Sequence, residues 1–305
     1  MKRFFAALTA AFALCALLSL SAFAADRVLN VYNWGEYISD GSEGTLDVNA
    51  EFEKWYAETY GETVKVVYTT YASNEDLYAK LKSGAAGYDV ILPSDYMIAR
   101  MIDEGMLEKL NFDNIPNYAG ISENFRGLYY DANNEYSVPF SYGMVGIIYD
   151  TTVVDEADTG TWDLMWNEKY KGKILQFNNS RDAFGTAMYR AGIDVNTTDA
   201  AAWQTALDAL KAQKPILQGY VMDEVFNKME GGEAAVAAYY AGDYLSMVEN
   251  NENLGFYYPT DKDGGFATNL FVDAYCIPKG AANKDIAEAY INFSLSEEIA
   301  VANAE

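Results

Sequence analysis

The sequence predicts an α/β protein with two lobes and a ligand-binding cleft between them. Strand-like and helix-like segments alternate over residues 28–104, a second alternating set follows residue 139, and neither boundary between the sets is rich in Gly or Ser. Extended hinge strands near residues 138–142 and 271–276 are therefore expected to join the lobes. The expected divisions are residues 25–139 for lobe 1, residues 140–270 for lobe 2, and residues 271–305 for a hinge strand and the return to lobe 1.

The first alternating set has the pattern of a parallel sheet with helices on both faces. Ser73 and Asp76 form a capping box at the start of its second helix, and Gly61 and Gly84 end its first two helices. Strands are expected at residues 28–33, 64–68 and 88–92, and helices at residues 48–60, between Ser73 and Gly84, and at residues 95–104.

In the second set, β-branched or apolar runs predict strands, and apolar residues that recur on one helical face predict helices. The strands are expected at residues 144–149, 173–177 and 234–240, and a clear helix at residues 200–213. The chain is then expected to return through a strand at residues 271–278 and an amphipathic helix at residues 284–295.

Residues 1–24 contain the three parts of a secretory signal peptide: Lys2 and Arg3, an uncharged apolar run, and a small-x-small cleavage site ending at Ala24. A membrane anchor fits less well because no stop-transfer charges follow, and lipidation at Cys15 fits less well because the usual small residue before the cysteine is missing. We therefore expect an exported protein. Cleavage would leave Cys276 as the only cysteine, in an apolar run typical of a buried thiol.

Composition excludes several classes of function. The chain has 21 Lys and Arg against 45 Asp and Glu, and it has no His. The acidic balance argues against nucleic-acid binding, which needs clustered basic charge. The absence of His removes His metal sites and Ser-His or Cys-His nucleophile pairs. Motifs for nucleotide phosphates, zinc proteases and serine hydrolases are also missing, so we expect no cofactor and no metal.

Aromatic residues and carboxylates recur together where the predicted strands end. Open parallel sheets bind ligands beyond the carboxyl ends of their strands, so these side chains are candidates for the cleft. Rings attract organic cations, and carboxylates accept charge-assisted hydrogen bonds from ammonium groups, so such a cleft suits a polyamine. The candidate residues are Trp34, Glu36, Tyr37, Ser94, Tyr96, Asp182, Tyr240, Asp243, Phe271 and Asp273.

Asp273 carries the strongest single signal among these candidates. It interrupts the apolar run of residues 270–277, where an unpaired charge is costly, so it needs a partner: Arg181, another protein cation or a ligand ammonium. The other carboxylates, taken singly, could equally be solvated or cap helices, and Trp34 and Tyr37 could be ordinary packing residues. Arg181 is expected to orient carboxylates and not to bind a cationic ligand.

The sequence resembles the periplasmic spermidine/putrescine-binding proteins of bacterial ABC transporters over nearly all of the chain after the signal peptide. The matching segments, in the same order as in that family, are Asn33-Trp34-Gly35-Glu36-Tyr37, Tyr71-Ala72-Ser73-Asn74-Glu75, Tyr78-Ala79-Lys80-Leu81-Lys82, Tyr88-Asp89-Val90, Gly105-Met106-Leu107 and Tyr136-Ser137-Val138-Pro139-Phe140. Together these segments are specific, although none would be alone.

The resemblance implies a type II periplasmic-binding-protein fold and a non-enzymatic, monomeric protein that delivers polyamine to a permease with its ATPase. It implies a periplasmic location, or the outer face of the membrane in a cell without an outer membrane. By this resemblance Trp34 and Tyr37 flank the ligand's methylene chain, Glu36 lies near an amine, and Ser94 and Tyr96 add polar and aromatic contacts.

The remaining implied roles belong to the second lobe and the return strand. Asp182 matches an amine-binding Glu of the family, Tyr240 replaces a stacking Trp, and Asp243 resembles an amine-binding Asp of the putrescine-preferring members. Phe271 and Asp273 match an aromatic-x-Asp pair.

Two departures from the family pattern bear on ligand choice. Asn179 stands where spermidine-preferring members have Asp, which together with Asp243 favours putrescine or mixed selectivity. The sequence also stops at Glu305, whereas family members continue through a further segment that contributes another ligand contact, so either this chain is a fragment or that contact is absent. Alternatives that remain open are a binder of another solute, such as a sugar or amino acid, and a glycosidase that uses a pair of cleft carboxylates.

Overall fold

The computed structural model describes residues 27–35, 37–84, 87–261 and 263–304, so the predicted signal peptide lies outside the described residues. Within these ranges no helix is both long enough and apolar enough to span a membrane. The strands are β1 (Arg27–Trp34), β2 (Val64–Tyr71), β3 (Val90–Ile91), β4 (Ser137–Asp150), β5 (Ile174–Phe177), β6 (Leu217–Val221), β7 (Val236–Tyr240), β8 (Leu254–Tyr257) and β9 (Leu270–Cys276).

In the described residues, α-helices connect or follow these strands, and several short 3₁₀ helices lie between the longer elements. The α-helices are α1 (Val48–Tyr60), α2 (Asn74–Lys82), α3 (Asp95–Asp103), α4 (Ser180–Arg190), α5 (Ala200–Gln213), α6 (Glu224–Glu230), α7 (Ala241–Asn250), α8 (Lys284–Ser294) and α9 (Glu297–Ala304).

One long strand, β4, runs through both lobes. The strand order is β2-β1-β3-β9-β4-β7-β5-β6, with β8 also paired to β4. The first part of β4 pairs with β9, and its second part pairs with β7 and β8. We use the name lobe 1 for the described residues up to 139 and from 271 onwards, and the name lobe 2 for residues 140–270. Two lobes that share a strand pair can change their separation by bending that pair.

The sheet is mixed, which corrects the prediction of a parallel sheet for lobe 1. Strands β1, β2 and β3 are parallel as predicted. The return strand β9 is antiparallel to both β3 and β4. Alternation of strands and helices identifies the parallel crossovers, but it carries no information on a strand that re-enters the sheet from another lobe. The predicted hinge segment at residues 138–142 and the strand at residues 144–149 are likewise one continuous strand.

Each lobe has its own buried core. In lobe 1, Leu29, Val31 and Phe52 pack with the returning Tyr275 and Tyr290. In lobe 2 the largest fully buried side chains include Trp162, Tyr239 and Phe177. Cys276 is fully buried and unpaired, as predicted. Because the apolar faces are used inside the lobes, the polar and aromatic strand ends are left facing the gap between them.

Candidate functional site

A cavity of about 460 Å³ lies between the two lobes. This volume is in the range of small-molecule sites. Glu36 lies outside the described residues. The other nine predicted site residues all line the cavity, namely Trp34, Tyr37, Ser94, Tyr96, Asp182, Tyr240, Asp243, Phe271 and Asp273. The residues predicted from the ends of strands therefore share one cavity, although they are up to 239 positions apart in sequence, from Trp34 to Asp273.

Asp273 is a buried carboxylate on the central return strand. Its exposed fraction is 3%, and the Tyr37 hydroxyl donates a hydrogen bond to its Oδ2 atom. Within the described residues, its Oδ1 atom is buried and accepts no hydrogen bond. Burial raises the pKa of Asp273 to about 7, although the nearby hydroxyls of Ser94 and Tyr37 act to lower it. Of the three partners left open by the sequence, neither Arg181 nor another cation of the described residues pairs with Asp273; the Tyr37 hydroxyl contacts it, and a ligand ammonium stays a prediction.

Asp182 is the corresponding carboxylate of lobe 2, in the first turn of α4. The Tyr240 hydroxyl donates a 2.8 Å hydrogen bond to its Oδ2 atom. Burial raises the pKa of Asp182 to about 6, while the Tyr240 hydrogen bond and the Arg181 charge lower it. Two aspartates from opposite lobes are thus each held by one tyrosine and retain capacity for a cationic ligand.

The aromatic walls are fixed by contacts inside lobe 1 and by one contact between the lobes. The Trp34 indole N–H donates to the Leu92 carbonyl oxygen at 2.9 Å, and its ring lies 4.6 Å from the Tyr71 ring centroid. Phe271 makes an edge contact with Tyr240, with 5.4 Å between the ring centroids. These contacts hold the rings in place before any ligand arrives, which lowers the entropy cost of binding.

The start of α3 is tied to α2 by a reciprocal pair of hydrogen bonds. The Asn74 Nδ2 atom donates to Ser94 Oγ at 2.9 Å, and Asn74 Oδ1 accepts from the Ser94 backbone N–H at 3.0 Å. The Tyr96 hydroxyl donates to Glu75 Oε1 at 3.2 Å. Ser94 and Tyr96 are therefore held at the cavity by hydrogen bonds to α2.

Several cavity residues were absent from the predicted set, namely Asp95, Tyr129, Tyr142, Tyr189 and Asp223. Asp95 stands between Ser94 and Tyr96, so its position at the strand end was the available signal. Asp223 follows β6, a strand that the sequence pattern did not reveal, so the strand-end rule could not reach it. Burial raises the pKa of both carboxyl groups.

The charge of the cavity is strongly negative. Its described lining contains five carboxylates and, as the one cation, Arg181; the carboxylates are Asp95, Asp182, Asp223, Asp243 and Asp273. In the described part of the chain, no three acidic or cysteine side chains are grouped to hold a metal ion. Rings interleaved with carboxylates suit an organic cation that has both ammonium groups and an apolar chain.

Two α/β lobes joined by a strand pair, with a ligand-sized cavity between them, define a two-lobed solute-binding protein. The family model described as bacterial extracellular solute-binding protein matches residues 49–305. The chain belongs to this family, whose members with this architecture have the type II periplasmic-binding-protein fold.

Named relatives bind polyamines. The spermidine/putrescine-binding periplasmic protein of Escherichia coli K12 is 32% identical, over 100% of this chain and 83% of that protein. A Listeria monocytogenes structure assigned to spermidine/putrescine ABC transport is 34% identical, with a TM-score of 0.81 over 92% of this chain and 81% of that chain. The spermidine/putrescine ABC transporter substrate-binding protein of Streptococcus pneumoniae is also 34% identical, with a TM-score of 0.69 over the same shares.

Proposed function

We propose that this protein captures a polyamine, putrescine or spermidine, in the cavity between its lobes. The observation that carries the proposal is Asp273, a buried carboxylate in the cavity whose Oδ1 atom accepts no hydrogen bond from the described residues. A buried carboxylate without a cation is costly, and an ammonium group would supply both the missing charge and the missing donor. The polyamine-binding names of the full-length relatives support the same ligand class.

In this proposal the nine described cavity residues keep the roles given by the family resemblance. Asp273, Asp182 and Asp243 accept from ammonium groups. Trp34, Tyr37, Tyr96, Tyr240 and Phe271 surround the methylene chain, Ser94 supplies a hydroxyl, and Glu36 is proposed as a further carboxylate. The lobe divisions at residues 139/140 and 270/271 are proposed with them, since the lobes must close around the ligand along the β4–β9 pair.

The protein then acts outside the cytoplasmic membrane as the binding component of an ABC importer. It presents the polyamine to a permease with its ATPase, as a periplasmic monomer with no catalytic activity. Capture and release need only a change in lobe separation, and the cavity's paired tyrosines and aspartates suit reversible ion pairing.

The proposal is tested by calorimetric titration of the purified protein with putrescine, spermidine, maltose and glutamate. Saturable binding of a polyamine, with no heat from maltose or glutamate, is the expected result. Binding of maltose or glutamate instead would assign the cavity to another solute. Hydrolysis of aryl glycosides by the same preparation would overturn the non-enzymatic assignment.

A further inference from the structure

The first turn of α4 reaches across the cavity to lobe 1. The Arg181 guanidinium carbon lies 5.3 Å from the ring centroid of Tyr96, which belongs to α3. Beside this contact, the Ser180 hydroxyl donates to Glu75 Oε1 at 3.4 Å. The Tyr96 hydroxyl donates to the same Glu75 oxygen at 3.2 Å. Side chains from both lobes therefore meet at Tyr96 and Glu75, at one side of the cavity.

We propose that Arg181 is a positioning residue that latches lobe 2 onto lobe 1 through the face of Tyr96 and so sets the lifetime of the bound complex. This inference rests on the proposed function, because the lifetime is that of the polyamine complex. Arg181 differs here from its sequence-based role, since its guanidinium stacks on an aromatic ring in addition to lowering the pKa of Asp182.

The chemistry of arginine fits a latch better than it fits a ligand contact. A guanidinium is always charged, is planar, and stacks on aromatic faces. It also repels the cationic ligand that the rest of the cavity attracts. Asn196 Oδ1 accepts from Arg181 Nη2 at 3.3 Å within lobe 2, which holds the guanidinium on its own side. One face of the Tyr96 ring is then used by the protein's own cation, although the residue also lines the cavity.

The latch is adjacent to a proposed ligand carboxylate. Arg181 directly precedes Asp182, whose side chain lines the cavity and accepts from Tyr240. Docking Arg181 on lobe 1 therefore fixes the first turn of α4, and with it the position of Asp182 relative to Asp273. Opening the lobes must break the Arg181–Tyr96 contact before the ligand can leave.

The test uses koff to measure the contact between the lobes and kon to measure the repulsion between Arg181 and the cationic ligand. In Arg181→Gln, measured by stopped-flow tryptophan fluorescence with putrescine and spermidine, koff should rise about two- to fivefold, the range expected for a partly exposed cation–π contact. The kon should stay equal or rise, since a repulsive charge is removed. An unchanged koff would overturn the latch, and so would a lower kon that accounts for the whole change in affinity.

A matched control lies on the same helix. Arg190 places its guanidinium 4.7 Å from the Trp166 ring centroid, and both residues belong to lobe 2. Arg190→Gln removes the same kind of contact and the same charge, together with an ion pair to Asp163 that also lies in lobe 2, so koff should match the wild type. A similar rise in koff for both variants would show a general effect of charge or of α4 stability and would overturn the proposal.

The partner is tested by a double-variant cycle with Tyr96→Leu. Tyr96 also lines the cavity, so its own variant changes ligand contacts. The informative quantity is the effect of Arg181→Gln on koff in the Tyr96→Leu background. It should vanish there, because the ring that Arg181 uses is gone. A full two- to fivefold effect in that background would assign the rise to something other than the latch.

Failure of the latch and failure of the proposed function give different results. If wild-type protein shows no saturable response to polyamine, the proposed function fails. The latch is then decided by small-angle X-ray scattering without ligand, where Arg181→Gln should have a larger radius of gyration than the wild type and Arg190→Gln should not. Identical scattering for all three proteins would overturn it.

Discussion

The buried carboxyl group of Asp273 lowers the stability of the folded protein when it is ionised. Burial raises its pKa from 3.8 to about 7. The folded state therefore binds a proton more tightly than the unfolded state, so this group's contribution to stability is full below pH 4 and is lost as the pH rises through about 7. At pH 8 the buried carboxyl group of Asp273 is therefore mostly ionised.

Asp273→Asn should remove this cost and the ligand contact together. We expect the ligand-free variant to be more stable than the wild type by about 1–3 kcal/mol at pH 8, with the difference shrinking as the pH falls towards 4. Polyamine binding should weaken by about 2–5 kcal/mol. Thermal unfolding at pH 4, 6 and 8, with calorimetric titration at pH 8, measures both.

Asp208→Asn is the control, because Asp208 is an exposed residue of α5 that pairs at 3.7 Å with Lys211 on the same helix. It should change neither quantity by more than a few tenths of a kcal/mol. Unchanged polyamine affinity in Asp273→Asn would remove Asp273 from the site.

Asn179 caps the N-terminus of α4, and an aspartate at this position could make the same hydrogen bonds. Its Oδ1 atom accepts from the backbone N–H groups of Arg181 at 3.0 Å and Asp182 at 3.4 Å, so it caps α4. Asp is as good an N-cap as Asn, so Asn179→Asp should fold normally. It adds a carboxylate to the cavity and should shift the ratio of affinities towards spermidine over putrescine by about 1–2 kcal/mol.

Competition titrations of the two polyamines on the parent and on Asn179→Asp measure this ratio directly. A ratio that does not move, with helix content unchanged by circular dichroism, would show that position 179 does not set ligand choice.

At the scale of elements, the sequence predicts best where local signals agree. Helices α1 and α5 have the predicted bounds, because side-chain caps at Asp47 and Asp199 and apolar periodicity point to the same residues. Strand β6 was missed since its residues are mostly part-exposed and include Gly219, and α4 was missed since Gly185 interrupts a weak apolar pattern. Missing β6 is also the reason that Asp223 was not predicted.

The candidate site was predictable as a set of residues but not as a set of contacts. Strand ends indicated which carboxylates and rings share the cavity. The pairing of Asp273 with Tyr37 joins residues 236 positions apart and depends on the antiparallel entry of β9, which no local pattern encodes. The sequence therefore left the partner of Asp273 open among Arg181, another protein cation and a ligand ammonium, and gave no sign of the Tyr37 hydroxyl.

Gly143 in β4 leaves room for the ring of Phe271, which projects from the paired strand β9. A Cβ at this position would stand 2.5 Å from Phe271 Cζ, which is too close for any pair of carbon atoms. Gly143→Ala should displace the Phe271 ring, lower stability by about 1–3 kcal/mol, and weaken polyamine binding. Chemical denaturation and calorimetric titration check the two effects.

Gly146→Ala is the matched control on the same strand. Its Cβ would stand 2.3 Å from Phe256 Cζ and 2.8 Å from the Tyr257 carbonyl oxygen, away from the cavity lining. It should lower stability at least as much as Gly143→Ala but leave the affinity within about twofold, the level of a change with no lost ligand contact. If both variants lose affinity equally, the loss follows from general destabilisation and not from Phe271.

For the molecule as a whole, the proposed binding mode uses charged groups from both lobes at once. Asp182 belongs to lobe 2, with a pKa raised to about 6, and Asp273 to lobe 1, with a pKa raised to about 7. An ammonium ligand binds their ionised forms, so binding must displace protons below these values. We expect polyamine affinity to fall at least about tenfold between pH 8 and pH 5.5.

Titrations across this range, repeated in buffers of different ionisation enthalpy, measure both the affinity and the protons released. Proton release should be greatest between pH 5.5 and pH 7 and absent at pH 9. An affinity that stays constant from pH 8 to pH 5.5 would mean that neither carboxylate changes its proton when the ligand binds.

The central position of β9 sets the order in which the parts of the molecule can be completed during synthesis. Lobe 2 is a continuous stretch of chain, so β7 and β8 can pair with β4, and β5 and β6 can extend the sheet from β7, as soon as residue 257 has emerged. Lobe 1 cannot close its sheet until Leu270–Cys276 slides between β3 and β4. Until then β3 presents an unpaired edge, the kind of surface on which neighbouring nascent chains pair by mistake. The strand that carries Asp273 is thus also the last described strand to enter the sheet, so a chain completes its candidate site and loses its exposed edge in the same event.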